Sequence, residues 1–283
     1  MLIIIVLCSA AVAVGLAMAV IWGGREIRLP PQPIPNAGQP WARRHLAGLR
    51  LYAWWATLLT VTGIGSGIVA SGAGGRLIMR ALAATSPEAI GRLTEASEVV
   101  GDVTPIGTLA YLLFAGIPFG LGSTVIYFIV HPWLPRGRRR GPAFGLLLLV
   151  TIAPFSDPLR ADNVDFDIVG PGWLAVALFS VLAVLHGTVV VAIAGRCSEA
   201  LPLLSRRNWG AGLPLAAAVV YVPLGAALAI VAVGAFLLPR ALPWTIGILS
   251  SRAGIVTGRI FLGVLTVLAI PAFVMAIVSI TTR

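Results

Sequence analysis

Long apolar stretches recur along this chain, and its charges are sorted between alternate gaps that separate them. All 20 basic residues are arginine. Thirteen of them fall in 23–50, in 131–140, in 196–209 or at Arg283, whereas eight of the ten acids fall in 88–102 and 157–167. Only Glu26 and Glu199 share a gap with the arginine-rich group. A water-soluble fold has no physical reason to alternate in this way. A chain that crosses a bilayer has one, because arginine-rich loops are retained on the cytoplasmic side.

Apolar residues make up 58% of the chain and charged residues 11%, against roughly 25% charged in soluble domains. That leaves too little polar surface for a water-facing exterior. The net charge of +10 does not read as nucleic-acid binding, since the arginines sit in short loops beside apolar runs rather than on one polar domain. Cys8 and Cys197 offer neither a disulfide framework nor metal-ligand spacing. Continuous apolar runs lack the alternation of lipid-facing strands. The expected fold class is therefore all-α, a polytopic transmembrane helical bundle forming one integral membrane domain over 1–283.

A spanning helix needs about 20 apolar residues. Seven runs qualify or nearly so: 2–22, 51–72, 105–130, 141–155, 173–195, 213–238 and 260–280. The fourth is short and flanked by Arg140 and Asp157, so it must recruit its flanks or thin the bilayer locally. Residues 2–22 carry Ala17-Met18-Ala19, which resembles a signal cleavage site. No basic residue precedes the run, however, and Arg25 and Arg28 follow it, so it reads as a retained helix with its N-terminus outside. Seven crossings then put the C-terminus in the cytoplasm. The segment 239–259, with Arg240, Arg252 and Arg259 and no acid, fits poorly as an outside loop. A surface-lying or re-entrant piece is the alternative, and if it crosses, the last helix inverts.

The prolines at 30, 31, 33 and 35 make 23–50 a stiff cytoplasmic linker, with docking into a partner's aromatic groove as the alternative. Most of the eight tryptophans lie near run ends, as in an interfacial belt. Pro118-Phe119-Gly120 and Pro223-Leu224-Gly225 invite comparison with the broken helices of inverted repeats, although two tripeptides do not make a repeat.

Four groups of residues are candidate sites. Gly63, Gly67 and Ser71 form a small-residue ridge that lets helix backbones approach closely in lipid. An intramembrane protease built on Ser66 and His186 is the alternative, but a rhomboid-type GxSG motif would need glycine where Ile64 stands. His186, in mid-run, is costly in hydrocarbon and should face a hydroxyl or carbonyl on a neighbouring helix. Asp157, Asp162, Asp165 and Asp167 could give hard oxygen ligands to Ca²⁺ or Mg²⁺, although their spacing is not that of an EF-hand. Ion pairs with Arg160, Arg76 and Arg92 explain them equally well, and no other cofactor is expected. Arg136, Arg138, Arg139 and Arg140 are expected to fix orientation and touch anionic head groups.

Asp157-Pro158-Leu159-Arg160, Asp165-Phe166-Asp167 and Gly170-Pro171-Gly172-Trp173 together resemble a group of uncharacterised bacterial polytopic membrane proteins, over roughly residues 70–200. The resemblance implies a bacterial cytoplasmic membrane and brings no activity with it. The residues favour a non-enzymatic membrane component (a scaffold, assembly subunit or sensor) with a membrane-protein partner or a second copy as its contact. A permeation protein for a small neutral or lipid-like substrate is the first alternative, because the central parts of the runs hold no Asp or Glu. A membrane enzyme using the Asp-rich loop is the second.

Overall fold

The computed structural model describes residues 2–30, 40–205, 207–217, 221–238 and 241–283. The prolines at 31, 33 and 35 therefore lie outside the described residues. The protein is 78% helical, with no strand among those residues. Five helices are long and apolar enough to cross a membrane, or six if one bent pair counts as a span.

Helix α1 covers Leu2–Trp22. Helix α2, Trp41–Ser66, runs through a π-helical turn, Gly67–Gly72, into α3, Ala73–Ala84. Helix α4, Pro105–Tyr111, passes through a second π-helical turn, Leu112–Gly116, into α5, Ile117–Val130. Helices α6, Arg140–Thr151, and α7, Gly172–Ala200, pack closely as an antiparallel pair. Then come a 3-10 segment, Trp209–Ala216, and helices α8, Val222–Leu237, α9, Ala241–Ser250, and α10, Arg252–Thr281.

Side-chain contacts sort the loops into two ends. At the arginine-rich end Glu26 pairs with Arg140, Glu199 pairs with Arg25, and Trp54 Nε1 donates to the Leu201 carbonyl. At the acidic end the hydroxyls of Thr85 and Ser86 donate to the Gly170 carbonyl, and Arg160 pairs with Glu95. Helices α1, α2–α3, α4–α5, α6 and α7 run between these ends in alternation. Burial follows the same division. One core gathers Ile78, Leu82, Leu149, Phe166, Phe179 and Ile280 toward the acidic end, and the other gathers Tyr127, Val130, Phe144, Leu148 and Val190 toward the basic end.

The expected crossing over 213–238 takes a different form. Leu215 from the 3-10 segment and Leu228 from α8 both pack against Tyr52 and Ala56, and farther along α8 Phe236 reaches His45. Helix α8 thus runs antiparallel to α2, toward the arginine-rich end. Its sequence explains why: Pro214 and Pro223 interrupt the run, and prolines restrict the helix to the stretch after them. The 16 residues of α8 reach only about 24 Å, short of a hydrocarbon core of about 30 Å.

Helix α9 lies at 98° to α8 and delivers the chain to Trp133, whose Nε1 donates to the Leu249 carbonyl. From there Arg259 Nε donates to the Trp133 carbonyl, and α10 runs to the acidic end. Ser279 donates to the Ala161 carbonyl there, and Arg283 lies against Asp167. The sequence expectation put the C-terminus opposite the acidic loops; the chain ends beside them. Of the segment 239–259, expected at the acidic end, Leu249 and Arg259 lie against Trp133 at the arginine-rich end.

Candidate functional site

A cavity of about 510 Å³ opens at the acidic end. Two helix faces of identical spacing form its walls. Arg76, Met79, Arg80 and Ala83 come from α3; Gly107, Ala110, Tyr111 and Phe114 come from α4 and its π-helical turn. Positions i, i+3, i+4 and i+7 share one side of a helix, so these residues form a stripe on each wall, which Leu82 and Ala115 widen. The loops 94–103 and 157–166 close the mouth with Glu98, Asp102, Asp157 and Asp165, and Phe166 and Phe179 add apolar surface.

The arginines are the least expected residues here. Arg76 donates from Nε and Nη2 to Thr108 Oγ1 at 3.4 and 3.3 Å, and its guanidinium carbon stands 5.7 Å from the centroid of the Tyr111 ring. A guanidinium at that range is attracted by the ring quadrupole. Gly75 makes room for this arrangement, because a Cβ there would overlap the Tyr111 hydroxyl. Gly107 does the same for the charges, since a Cβ would stand 2.9 Å from Glu98 Oε2 and 3.2 Å from Arg76 Nη2. Among the described residues neither Arg76 nor Arg80 forms an ion pair with a carboxylate.

The Asp-rich loop divides its carboxylates. Asp157 accepts from Arg160 Nε at 2.7 Å, Asp162 lies 3.7 Å from the same guanidinium, and Asp167 lies 3.4 Å from Arg283. Asp165 accepts from the Glu95 amide at 2.7 Å, which joins the two acidic loops. No group of three or more metal-ligating side chains forms among the described residues. Of these four aspartates, only Asp157 and Asp165 line the cavity. Burial, then the neighbouring charges of Asp165 and Asp162, push the Asp157 carboxyl above its ordinary range. Burial also raises Asp165, with Arg160 pulling it back.

The remaining sequence candidates lie away from the cavity mouth. Gly63 and Gly67 meet Gly120, Leu121 and Gly116 on the facing helix, and Ser71 donates to the carbonyls of Gly67 and Gly116. The two π-helical turns therefore touch backbone to backbone. His186 is 1% exposed and its Nε2 lies 2.7 Å from Ser123 Oγ, while Ser66 donates to the Gly63 carbonyl. The Ser66–His186 hydroxyl pairing weighed from the sequence does not form. Arg136, Arg138 and Arg139 are exposed, whereas Arg140 is buried against Glu26 and donates to the Pro135 carbonyl. Pro118 lies in the α4–α5 crossing next to its π-helical turn and Pro223 opens α8, so the two tripeptides occupy unlike places. Trp54 is fully buried rather than interfacial, whereas Trp173, Trp209 and Trp244 are exposed.

Sequence reasoning named Arg76 only as a pairing partner for acids and passed over Arg80 and Tyr111. The signal present was the i, i+4 placement of Arg76 and Arg80 about two turns before the end of a long apolar helix. No protein-family model, curated protein or solved structure matches the chain.

Proposed function

We propose that this is a multi-pass protein of a bacterial cytoplasmic membrane that binds a lipid-like molecule at its acidic end, without catalysing its conversion. Six crossings, α1, α2–α3, α4–α5, the short α6, α7 and α10, place both termini outside. The charge count supports that orientation better than seven crossings do. Among the described residues the arginine-rich end takes 13 arginines and two glutamates, or +11, and the acidic end takes five arginines and eight acids, or −3. Arginine excess of this kind marks the cytoplasmic side.

One observation carries the binding reading: the cavity holds two arginines in its wall and Phe114, 79% exposed, at its deep edge. A volume of about 510 Å³ lies in the roughly 300–1,000 Å³ range of small-molecule sites. Charged groups within apolar helices are costly unless they serve a ligand or a pathway.

Native mass spectrometry of the detergent-purified protein, incubated with bacterial polar lipid extract, tests this. The wild type should retain about one amphiphile per chain, and Ala110→Trp, which fills the cavity from α4, should release it. Equal retention by the two proteins would place the lipid elsewhere and end this reading.

A further inference from the structure

The cavity wall is ordered along its depth, and the order is that of a particular chemical class. Following α4 outward, Phe114 comes first, then Tyr111 beside Arg76, then Gly107, which Arg76 and Glu98 both approach. Arg80 lies one helical turn nearer the mouth than Arg76. The loops beyond them add the carboxylates of Asp102 and Asp157 among apolar and neutral residues. The helical wall therefore passes from apolar surface to guanidinium groups, with Glu98 meeting Arg76 at Gly107 and the aspartates on the loops beyond.

We infer that this cavity takes the headgroup of a zwitterionic amphiphile, its anionic phosphate held by Arg76 and Arg80 and its ammonium by Glu98, Asp102 and Asp157. The inference rests on the binding role proposed above and adds the ligand's charge pattern. An amino-phospholipid in the outer leaflet carries chains, phosphate and ammonium in that sequence from the bilayer centre outward. Guanidinium groups suit phosphate because their donors match its oxygens in pairs. An anionic lipid without the amine would set uncompensated negative charge against the acidic mouth, where like charges repel. A simple cation would meet the two arginines. Phe114 faces outward beside the guanidinium layer, which gives acyl chains an apolar exit that a water-soluble zwitterion does not need.

The full-length protein in detergent is titrated with short-chain phosphatidylethanolamine, phosphatidylglycerol and soluble phosphoethanolamine, and binding is read by native mass spectrometry. Phosphatidylethanolamine should bind at least tenfold more tightly than either of the others. Glu98→Gln with Asp102→Asn should bring the two lipids to within about threefold of each other. Arg76→Gln with Arg80→Gln should weaken both lipids tenfold or more while melting near the wild-type temperature, so that the loss does not reflect misfolding. Phosphatidylglycerol binding as tightly as phosphatidylethanolamine, still displaced by Ala110→Trp, would overturn the zwitterion assignment and leave the binding role standing. Phosphoethanolamine binding as tightly as the lipid would overturn the amphiphile. No displaceable lipid of either kind would remove the binding role as well.

Discussion

The Arg283 guanidinium stands 3.4 Å from the Asp167 carboxylate and donates to the carbonyls of Asn163 and Ala161. The last helix therefore ends on the Asp-rich loop. At the same end the Gly172 backbone packs so closely on the Ile280 carbonyl that a Cβ would overlap it. In a background with Cys8 and Cys197 replaced by alanine, Thr282→Cys and Asp162→Cys should both react with an impermeant maleimide in intact cells. Arg138→Cys should react only after permeabilisation. Reaction of 138 and 282 from the same side would show that α10 runs the other way.

Two glycines two residues apart in α5 should respond with opposite sign. A Cβ on Gly120 would overlap the Gly63 carbonyl oxygen and stand 2.7 Å from the Gly67 nitrogen, whereas a Cβ on Gly122 meets nothing within 4 Å. Backbone atoms cannot step aside as a flexible side chain can, so Gly120→Ala should cost about 1–3 kcal/mol or more. Gly122→Ala should be neutral or gain up to about 1 kcal/mol from helix propensity. Thermal melting of the two variants in one detergent decides it. Equal melting points would mean that the α2–α5 contact is looser than its geometry implies.

Features set by one stretch of chain were legible in the sequence. The apolar runs, the short fourth one and the small-residue ridge at Gly63 and Gly67 depend on local composition, and helices occupy those places. The run 213–238 was less legible, because hydropathy counts apolar residues without weighing Pro214 and Pro223, which set how much of it is one helix. Of the aspartates' partners, Arg160 pairs with Asp157 and Asp162 from within the loop and was legible, whereas Arg283 reaches Asp167 from 116 residues away and was not. The cavity was least legible. It needs the face of α3 and the face of α4 to meet, and neither stripe declares its partner.

Arg140 stands apart from the three arginines before it. Its side chain is 7% exposed and pairs with Glu26, itself 54% exposed, at 3.1 Å. Arg136, Arg138 and Arg139 are exposed and serve as charge at a membrane surface. Arg140→Met should therefore destabilise by about 1.5–3 kcal/mol, the range for hydrogen bonds to charged groups, and should leave the labelling pattern intact. Neutralising the other three together should disturb orientation or yield while changing the melting point little. If Arg140→Met melts like the wild type, the Glu26 pair contributes nothing to the fold.

The acidic end should tighten on mild acidification. Asp157 and Asp165 are both held above the ordinary carboxylate value of 3.8, mainly by burial. A carboxyl whose pKa is raised by folding keeps its proton longer in the folded chain than in the unfolded one. Its stabilising contribution is full below 3.8 and is lost as pH rises through the folded-state value. Arg160, shared among Glu95, Asp157 and Asp162, works in the opposite sense, because its pairs weaken as carboxylates protonate. The two effects separate in Asp165→Asn, which removes one charge and keeps an oxygen to accept from the Glu95 amide. Lowering the pH from neutral toward the raised values should slow amide hydrogen exchange of 94–99, once the intrinsic pH dependence is removed. In Asp165→Asn that slope should flatten, with slower exchange at neutral pH. An unchanged slope in the variant would assign the titration to other groups at this end.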